Sequence, residues 1–221
     1  MQHIYTYTEV YHDQLISYIY MQAYQDFLDN RLTVLFYCAH INKLLYSSFG
    51  LMSALDTLTT VLKSSAARTR LLARLVVCRL HPIMEDHHTN LLELTIEETE
   101  LLLSYIRQPT QFCGLDPAKL LKAASVLFQM GNQSTSAPLL TEITQSVISL
   151  LLQDCNDNCI TEGALYLLWT LCHVPEVKYC TSKKDNLTQV LMSLQRSPCS
   201  IVSSPARSVL WQLGHGSYEG L

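Results

Sequence analysis

Glycine and proline are scarce in this sequence: each occurs seven times among 221 residues. An all-β chain needs many tight turns, and glycine and proline supply the backbone geometry of such turns. The sequence instead contains long runs rich in Leu, Ala, Gln and Glu, which favour helices. With 48% apolar residues it can also bury a substantial core. We therefore predict an all-α protein that forms one domain over residues 1–221.

An excess of basic residues and a long apolar run are also missing. The net charge of −4 offers no general attraction to nucleic acid or to an anionic membrane. The most apolar stretch, Leu32–Leu55, is interrupted by His40, Asn42 and Lys43, so it falls short of the roughly 20 consecutive apolar residues of a membrane span. The first residues do not resemble a signal peptide. We expect a cytoplasmic protein with no nucleic-acid partner and no membrane span.

The signatures of the common enzyme classes are absent as well. The sequence contains no G-x-S-x-G nucleophile turn, no phosphate-binding G-x-x-x-x-G-K and no G-x-G-x-x-G. We therefore predict that the chain is not an enzyme, with no catalytic residues, no cofactor and no small-molecule substrate.

Two segments with metal-binding residue types lack the spacing of a metal site. The segment 81–88, "HPIMEDHH", has three histidines but no pair at i and i+4 on a helix, and it begins His-Pro, which favours an exposed connector. Cys155 and Cys159 form a lone C-x-x-x-C without a second half. We predict a solvated loop at the first place, loop and helix-cap residues at the second, and no metal at either. The eight cysteines are scattered, and Cys38, Cys78 and Cys172 lie in helical runs, so we expect buried thiols rather than disulfides.

The sequence does contain an internal repeat. Ala164–His173, "ALYLLWTLCH", and Ala206–His215, "ARSVLWQLGH", share the pattern A-x-x-x-L-W-x-L-x-H. Relaxed to A-x-x-x-[LV]-[WFC]-x-[LM], the pattern also begins at Ala73 and Ala123, so the intervals are 50, 41 and 42 residues. Armadillo and HEAT units repeat every 40 to 47 residues or so. This spacing predicts a right-handed helical solenoid of about four to five units.

The residue types of the repeat fit closely packed helices. Ala and the Leu or Val four positions later share one helix face, where a small Ala lets a neighbouring helix approach. Trp169 and Trp211 are then expected to be equivalent core residues. A second amphipathic helix, which we call a companion helix, is predicted between successive copies of the motif. The predicted companion helices are Leu51–Lys63, Thr95–Arg107, Leu139–Leu152 and Leu187–Arg196.

Capping residues support these boundaries. Asp or Ser before Pro, and Thr three residues before Glu, favour a helix start, whereas Gly after an apolar helix favours an end. His173 and His215 fall at helix ends, where a partly charged imidazole suits the helix dipole. The predicted starts are Asp116-Pro117, Ser204-Pro205 and Thr95 with Glu98, and the predicted ends are Gly131 and Gly214.

The segment Gly163–Leu194 resembles an armadillo repeat. Thr170-Leu171-Cys172 and then Pro175-Glu176 stand where the family has the end of one helix and Asn-Pro-Glu, and Leu187–Leu194 stands where a later helix lies. Lys183-Lys184-Asp185 replaces the usual glycine pair, and the asparagine ladder of nuclear-import receptors is absent. The chain also resembles the degenerate armadillo regions beside TIR domains in invertebrate multidomain proteins. The resemblance implies either a non-catalytic scaffold that binds a protein or peptide along its helical ridge, or a regulatory module of a larger signalling protein without a binding groove.

A binding surface is predicted on the polar faces of the companion helices. Stacked repeats align their free faces into one strip, and four carboxylates there would attract a basic peptide; the alternative is that these are ordinary solvated faces. The predicted residues, which we call the companion surface, are Asp56, Thr60, Lys63, Glu97, Glu100, Ser104, Glu142 and Gln145.

Residues 1–46 differ from the repeats at 47–221. Eight of the twelve tyrosines fall within them, which suits an atypical terminal cap or a partner site. The alternative binding residues are accordingly Tyr7, Tyr11 and Tyr18.

Charges of opposite sign segregate along the chain. The stretch from Thr57 to Met84 carries only basic charges, and the stretch from Glu85 to Ile106 only acidic ones. We expect weak ion pairs across exposed helix edges. A phosphate- or RNA-binding role for the basic stretch is the alternative, but it has no aromatic residues for stacking.

Overall fold

The computed structural model describes residues 20–37, 48–64, 66–80, 91–130, 137–153 and 157–215. Within these ranges the regular structure is helical, and the only β-type pairing is an isolated bridge between Phe112 and Leu115. The all-α prediction is therefore confirmed. The helices are residues 20–37 (α1), Ser48–Ser64 (α2), Ala67–Leu80 (α3), Ile96–Arg107 (α4), Pro117–Met130 (α5), Ala137–Leu152 (α6), Asn158–Leu171 (α7), Pro175–Ser182 (α8), Asp185–Gln195 (α9) and Ser200–Leu213 (α10).

The four copies of the motif lie on α3, α5, α7 and α10, and these motif helices contact one another in chain order: α3 with α5, α5 with α7, and α7 with α10. The four predicted companion helices correspond to α2, α4, α6 and α9. Among the companion helices, α4 contacts α6, and α6 contacts α9. Three of them also pack on the motif helix that is nearest in sequence: α2 on α3, α6 on α7, and α9 on α10. The motif therefore marks helices that meet in sequence order.

The small residue that begins each copy of the motif is buried, and a glycine next to one of them lies against a neighbouring motif helix. Ala73, Ala123, Ala164 and Ala206 are all buried, as are the Val or Leu four positions later in each copy. Gly163 shows how close the contact is, because a Cβ atom there would lie 2.9 Å from the carbonyl oxygen of Ala118 on α5. The sequence uses small side chains to bring these backbones together.

The aromatic position of the motif is not equivalent in its copies. Cys78 is buried and Phe128 and Trp169 are partly buried, whereas Trp211 is 63% exposed. The prediction of two equivalent buried tryptophans is therefore wrong for Trp211. α5 and α7 each have motif helices on both sides, whereas the described part of the chain places no further motif helix after α10.

Most predicted caps that fall on described residues are correct. Thr95 and Glu98 form a capping box at α4, the backbone N–H of Ala118 donates to Asp116 at the start of α5, and Gly214 ends α10 with a left-handed φ of 86°. The predicted start at Ser204-Pro205 is wrong, because Pro205 lies inside α10, which begins one turn earlier at Ser200. Gly131 lies outside the described residues.

The cysteines are only partly as expected. Cys78 and Cys172 are buried, and burial raises the pKa of Cys172 to about 11. Cys180 is exposed, which contradicts the expectation of a buried thiol there, whereas Cys159 is exposed in the first turn of α7, as the prediction of helix-cap residues at that segment requires. Both lie on the outward side of their helices, in α7 and α8. Cys38 is outside the described residues.

The helix α1 packs against α3 and against the turn between α4 and α5. Its inner face buries Leu32 and Phe36, and the hydroxyl of Thr33 donates to the carbonyl oxygen of Cys113 at 2.6 Å. The hydroxyl of Tyr37 donates to the carbonyl oxygen of Gly114 at 3.3 Å. No helix among the described residues is long and apolar enough to cross a membrane.

Candidate protein-interaction surfaces

The companion surface lies on the solvent side of its helices, as the periodicity predicts. Its members on α2, α4 and α6 are all exposed. The polar and apolar faces of these helices are therefore assigned correctly, while the binding role of the polar face stays a prediction. The exposed residues are Asp56, Thr60 and Lys63 on α2, Glu97, Glu100 and Ser104 on α4, and Glu142 and Gln145 on α6.

Two of the four carboxylates predicted for the companion surface already form ion pairs with arginines of the same chain. Glu97 accepts from Arg70 Nη2 at 2.9 Å, and Glu142 pairs with Arg107, which joins α6 to α4. The side-chain oxygen of Gln145 accepts from Lys184 at 2.9 Å. These contacts reduce the net acidity that a basic peptide would meet along the companion surface.

A shallow depression of about 240 Å³ opens between α4 and α6. Glu142 and Gln145 of the companion surface line it, so two predicted residues are brought together here. Six of its seven lining residues have polar or charged side chains, which can form hydrogen bonds with a polar side chain of a partner. Sequence reasoning missed Gln153 because it lies beyond the end of the predicted helix. The lining residues are Arg107, Glu142, Gln145, Ser146, Ser149, Leu150 and Gln153.

A second surface, which the sequence analysis did not predict, is aromatic. Tyr166 on α7 is 41% exposed and Trp211 on α10 is 63% exposed, while Trp169 on α7 is partly buried. We call these three residues the aromatic surface. Gln212 Nε2 donates to the carbonyl oxygen of Cys172 at 3.3 Å, so the carboxyl ends of α7 and α10 lie together. The two tryptophans therefore occupy equivalent turns of two helices in contact.

His173 supports the position of Trp169. The two rings meet edge to face with centroids 4.6 Å apart, and His173 Nδ1 lies 3.0 Å from the carbonyl oxygen of Trp169. His173 follows the end of α7, and His215 follows Gly214 at the end of α10, as predicted. The signal that could have revealed this surface is Tyr166, which lies three residues before Trp169 and so shares its helix face.

The ion pairs between the basic helix α3 and the acidic helix α4 are more buried than predicted. The Glu98 side chain is fully buried and accepts from Arg70 Nε at 3.0 Å and from Arg74 Nε at 2.7 Å. It also accepts from the backbone N–H of Thr95 at 2.8 Å. The expectation of weak pairs at exposed edges is wrong here, because the end of α4 that bears Glu98 packs directly against α3. The Glu98 carboxylate therefore accepts from two arginines of α3 and from the backbone at the start of α4, and it joins these two helices.

A second buried carboxylate joins α1 to α3. Asp29 is 4% exposed and accepts from the hydroxyl of Thr69 at 2.5 Å and from Arg68 Nε at 3.1 Å. The thiol of Cys113 lies 3.0 Å from the same Arg68 nitrogen, yet burial raises its pKa to about 11. A thiol that stays protonated at neutral pH is a poor nucleophile. We assign this cluster a structural role.

Other predictions fall on residues that the structure leaves undescribed. These are the histidine segment 81–88, Cys155, and the alternative binding residues Tyr7, Tyr11 and Tyr18. Among the described residues, no group of three or more His, Cys, Asp or Glu side chains could hold a metal ion. Comparison of the chain with protein-family models, with curated proteins and with solved structures yields no significant match.

Proposed function

We propose that this chain is a non-catalytic protein-interaction scaffold with the architecture of an armadillo-like right-handed solenoid. Two observations support the architecture. The motif recurs at intervals of 50, 41 and 42 residues, and the helices that carry it contact one another in chain order, as do the companion helices α4, α6 and α9. Stacked units of this kind present continuous helix faces to a partner.

The aromatic surface carries the functional part of the proposal. Tryptophan and tyrosine dominate the binding energy of protein interfaces, since each combines a large apolar ring with a polar group. Trp211 exposes 63% of its surface and Tyr166 exposes 41%, on helices whose other faces are buried. A protein or peptide that covers both rings would remove this apolar area from water. We therefore assign the main contact to Tyr166, Trp169 and Trp211.

The companion surface is the competing site on the same scaffold. It would take a basic segment through Asp56 and Glu100 and through the depression beside Glu142. The arginines that already pair with Glu97 and Glu142 weaken this choice.

A displayed library of random peptides, selected on the purified protein, tests the function and separates the two surfaces. Binding of each selected peptide is then measured by fluorescence anisotropy to two variants. One carries Tyr166→Ala and Trp211→Ala; the other carries Asp56→Lys, Glu97→Lys, Glu100→Lys and Glu142→Lys. We expect the first variant to weaken binding at least 10-fold, because a hot-spot side chain contributes about 2 kcal/mol or more. The second should change it less than about 3-fold.

Far-UV circular dichroism of both variants controls for folding. Loss of binding in the lysine variant alone would move the site to the companion surface. If no peptide is selected, or if neither variant weakens binding, the scaffold proposal fails and a regulatory module without its own groove becomes the better interpretation.

A further inference from the structure

The outer face of α1 carries an apolar stripe that no described residue covers. Tyr20, Tyr24, Phe27, Arg31 and Val34 follow one another at intervals of four, three, four and three residues, which places them on one line along a helix. Tyr20 is 71% exposed, Tyr24 62%, Phe27 48% and Val34 62%. The opposite face of α1 is buried through Asp29, Leu32 and Phe36. The stripe therefore faces away from the rest of the fold.

The spacing of this stripe is that of a helix that pairs with another helix. A hydrophobic seam that alternates three and four residues is what a two-helix coiled coil buries. A helix whose outer face meets only water otherwise carries polar residues on that face. An exposed apolar seam at this place thus indicates a partner helix with a matching seam.

We propose that α1 pairs antiparallel with α1 of a second copy of this chain, about a two-fold axis at Phe27. In that register Tyr20 faces Val34 of the other copy, Phe27 faces its own counterpart, and Tyr24 lies within one residue of Arg31 of the other copy, close enough for the two side chains to meet. The guanidinium of Arg31 already lies 4.2 Å from the centre of the Phe27 ring within one chain. A two-fold contact uses one surface twice, so the stripe must be complementary to itself.

Charge decides the direction of the pairing. A parallel pair would set Arg31 against Arg31 of the other copy, which places like charges in contact. The antiparallel pair sets each Arg31 on the face of a Tyr24 ring, an attractive cation–π contact. Met21, Leu28 and Leu35 flank the stripe on one side and Ala23 and Asn30 on the other, so no flanking charge opposes either copy.

The size of the seam sets the strength of the dimer. One stripe of five side chains falls in the small class of interfaces, below about 1,200 Å² in total. We therefore expect a reversible dimer with a dissociation constant on the order of micromolar. It uses a helix that the aromatic surface does not.

Sedimentation velocity of the full chain tests the dimer. The protein concentration is varied from about 1 to about 100 µM, a range that includes the expected micromolar dissociation constant. Wild type should shift from monomer to dimer across that range. Tyr24→Lys should weaken dimerisation at least 10-fold, because two lysine–arginine contacts replace two cation–π contacts. Gln22→Lys changes charge equally on the exposed part of α1 away from the stripe, and should leave the dissociation constant within about 2-fold.

The double variant Tyr24→Lys, Arg31→Glu tests the register. It creates two lysine–glutamate pairs in the antiparallel dimer but sets like charges together in a parallel one, so it should restore dimerisation. A wild-type protein that stays monomeric at all concentrations would overturn the proposal and assign the stripe to another segment of the chain or to a different protein. A dimer that Tyr24→Lys leaves intact, or that the double variant fails to restore, would overturn it equally.

Discussion

The two ends of the described chain hold their helices together by different means. In the first part, α1, α3 and α4 enclose charged groups: Asp29, Arg74 and Glu98 are the charged residues that are buried among those the structure describes. In the later part, α7, α9 and α10 meet through Leu, Val and Ala, and their buried polar side chains are threonines. Both parts bury many apolar side chains, and the first adds charged side chains buried in salt bridges, which the later part lacks among its described residues.

The difference shows two ways of determining which helices meet. Arg70 and Arg74 are one turn apart on α3, and both reach Glu98 only when α4 lies at one height along α3. Between α5 and α7 shape contributes to the same role, since Gly163 lets α5 approach within van der Waals distance of the α7 backbone, and a partly exposed ion pair between Lys122 and Glu162 lies beside this contact. Charges cost desolvation and give geometric selectivity, whereas close packing adds dispersion and apolar burial.

The largest effect is expected from Glu98→Gln. This change removes the carboxylate that pairs with the largely buried Arg74 and one of the two carboxylates that pair with Arg70. Removing one partner of a buried ion pair costs about 3–5 kcal/mol. The free energy of unfolding, measured by urea titration with far-UV circular dichroism, should fall by that amount.

Glu97→Gln is the matched control on the adjacent residue. The Glu97 side chain is 74% exposed and pairs with the same Arg70, so its loss should cost under about 1 kcal/mol. Equal small losses for the two variants would contradict the assignment of Glu98 to the interior.

A smaller effect is expected from Gly163→Ala in the part that depends on close packing. The new methyl carbon would lie 2.9 Å from both the Ala118 carbonyl oxygen and the Leu121 Cβ, and relief of such overlap costs about 1–3 kcal/mol. Alanine is the better helix former by about 0.5–1 kcal/mol. The sign of the change in unfolding free energy therefore decides: destabilisation supports a close α5–α7 contact, and stabilisation would contradict it.

The helices were predictable because their signal is local. The helical spacing of apolar residues, three or four positions apart, placed α2, α4, α6 and α9 within a few residues of their observed bounds. The predicted helix start at Pro205 is the exception. Proline is favoured in the first turn of a helix, but it can also lie inside a helix, as Pro205 does in α10. Here α10 begins earlier, after a turn in which the backbone N–H of Cys199 donates to Ser197 Oγ.

The depth of a side chain and its partner depend on tertiary contacts, which one sequence does not show. The segregation of charge indicated that α3 and α4 would pair, and periodicity put Glu97 and Glu100, but not Glu98, on the polar face. Nothing local shows that Glu98 meets Arg70 and Arg74. The companion surface was placed on the exposed side because amphipathicity is periodic. Its bonds to Arg70, Arg107 and Lys184 were not foreseen, since they join residues 27, 35 and 39 positions apart.

The smallest effect is expected at Trp211, and it sharpens the contrast between an inner copy of the motif and the last copy that the structure describes. Trp169→Ala should cost about 2–3 kcal/mol, somewhat less than a fully buried tryptophan, whereas Trp211→Ala should change the unfolding free energy by under about 0.5 kcal/mol, as exposed substitutions do. The chain has two tryptophans, so Trp169→Phe and Trp211→Phe each leave a single reporter. Acrylamide should quench Trp211 readily and Trp169 weakly. Equal large losses and equal protection from acrylamide would show that Trp211 is covered in solution, and the aromatic surface would then be unavailable to a partner.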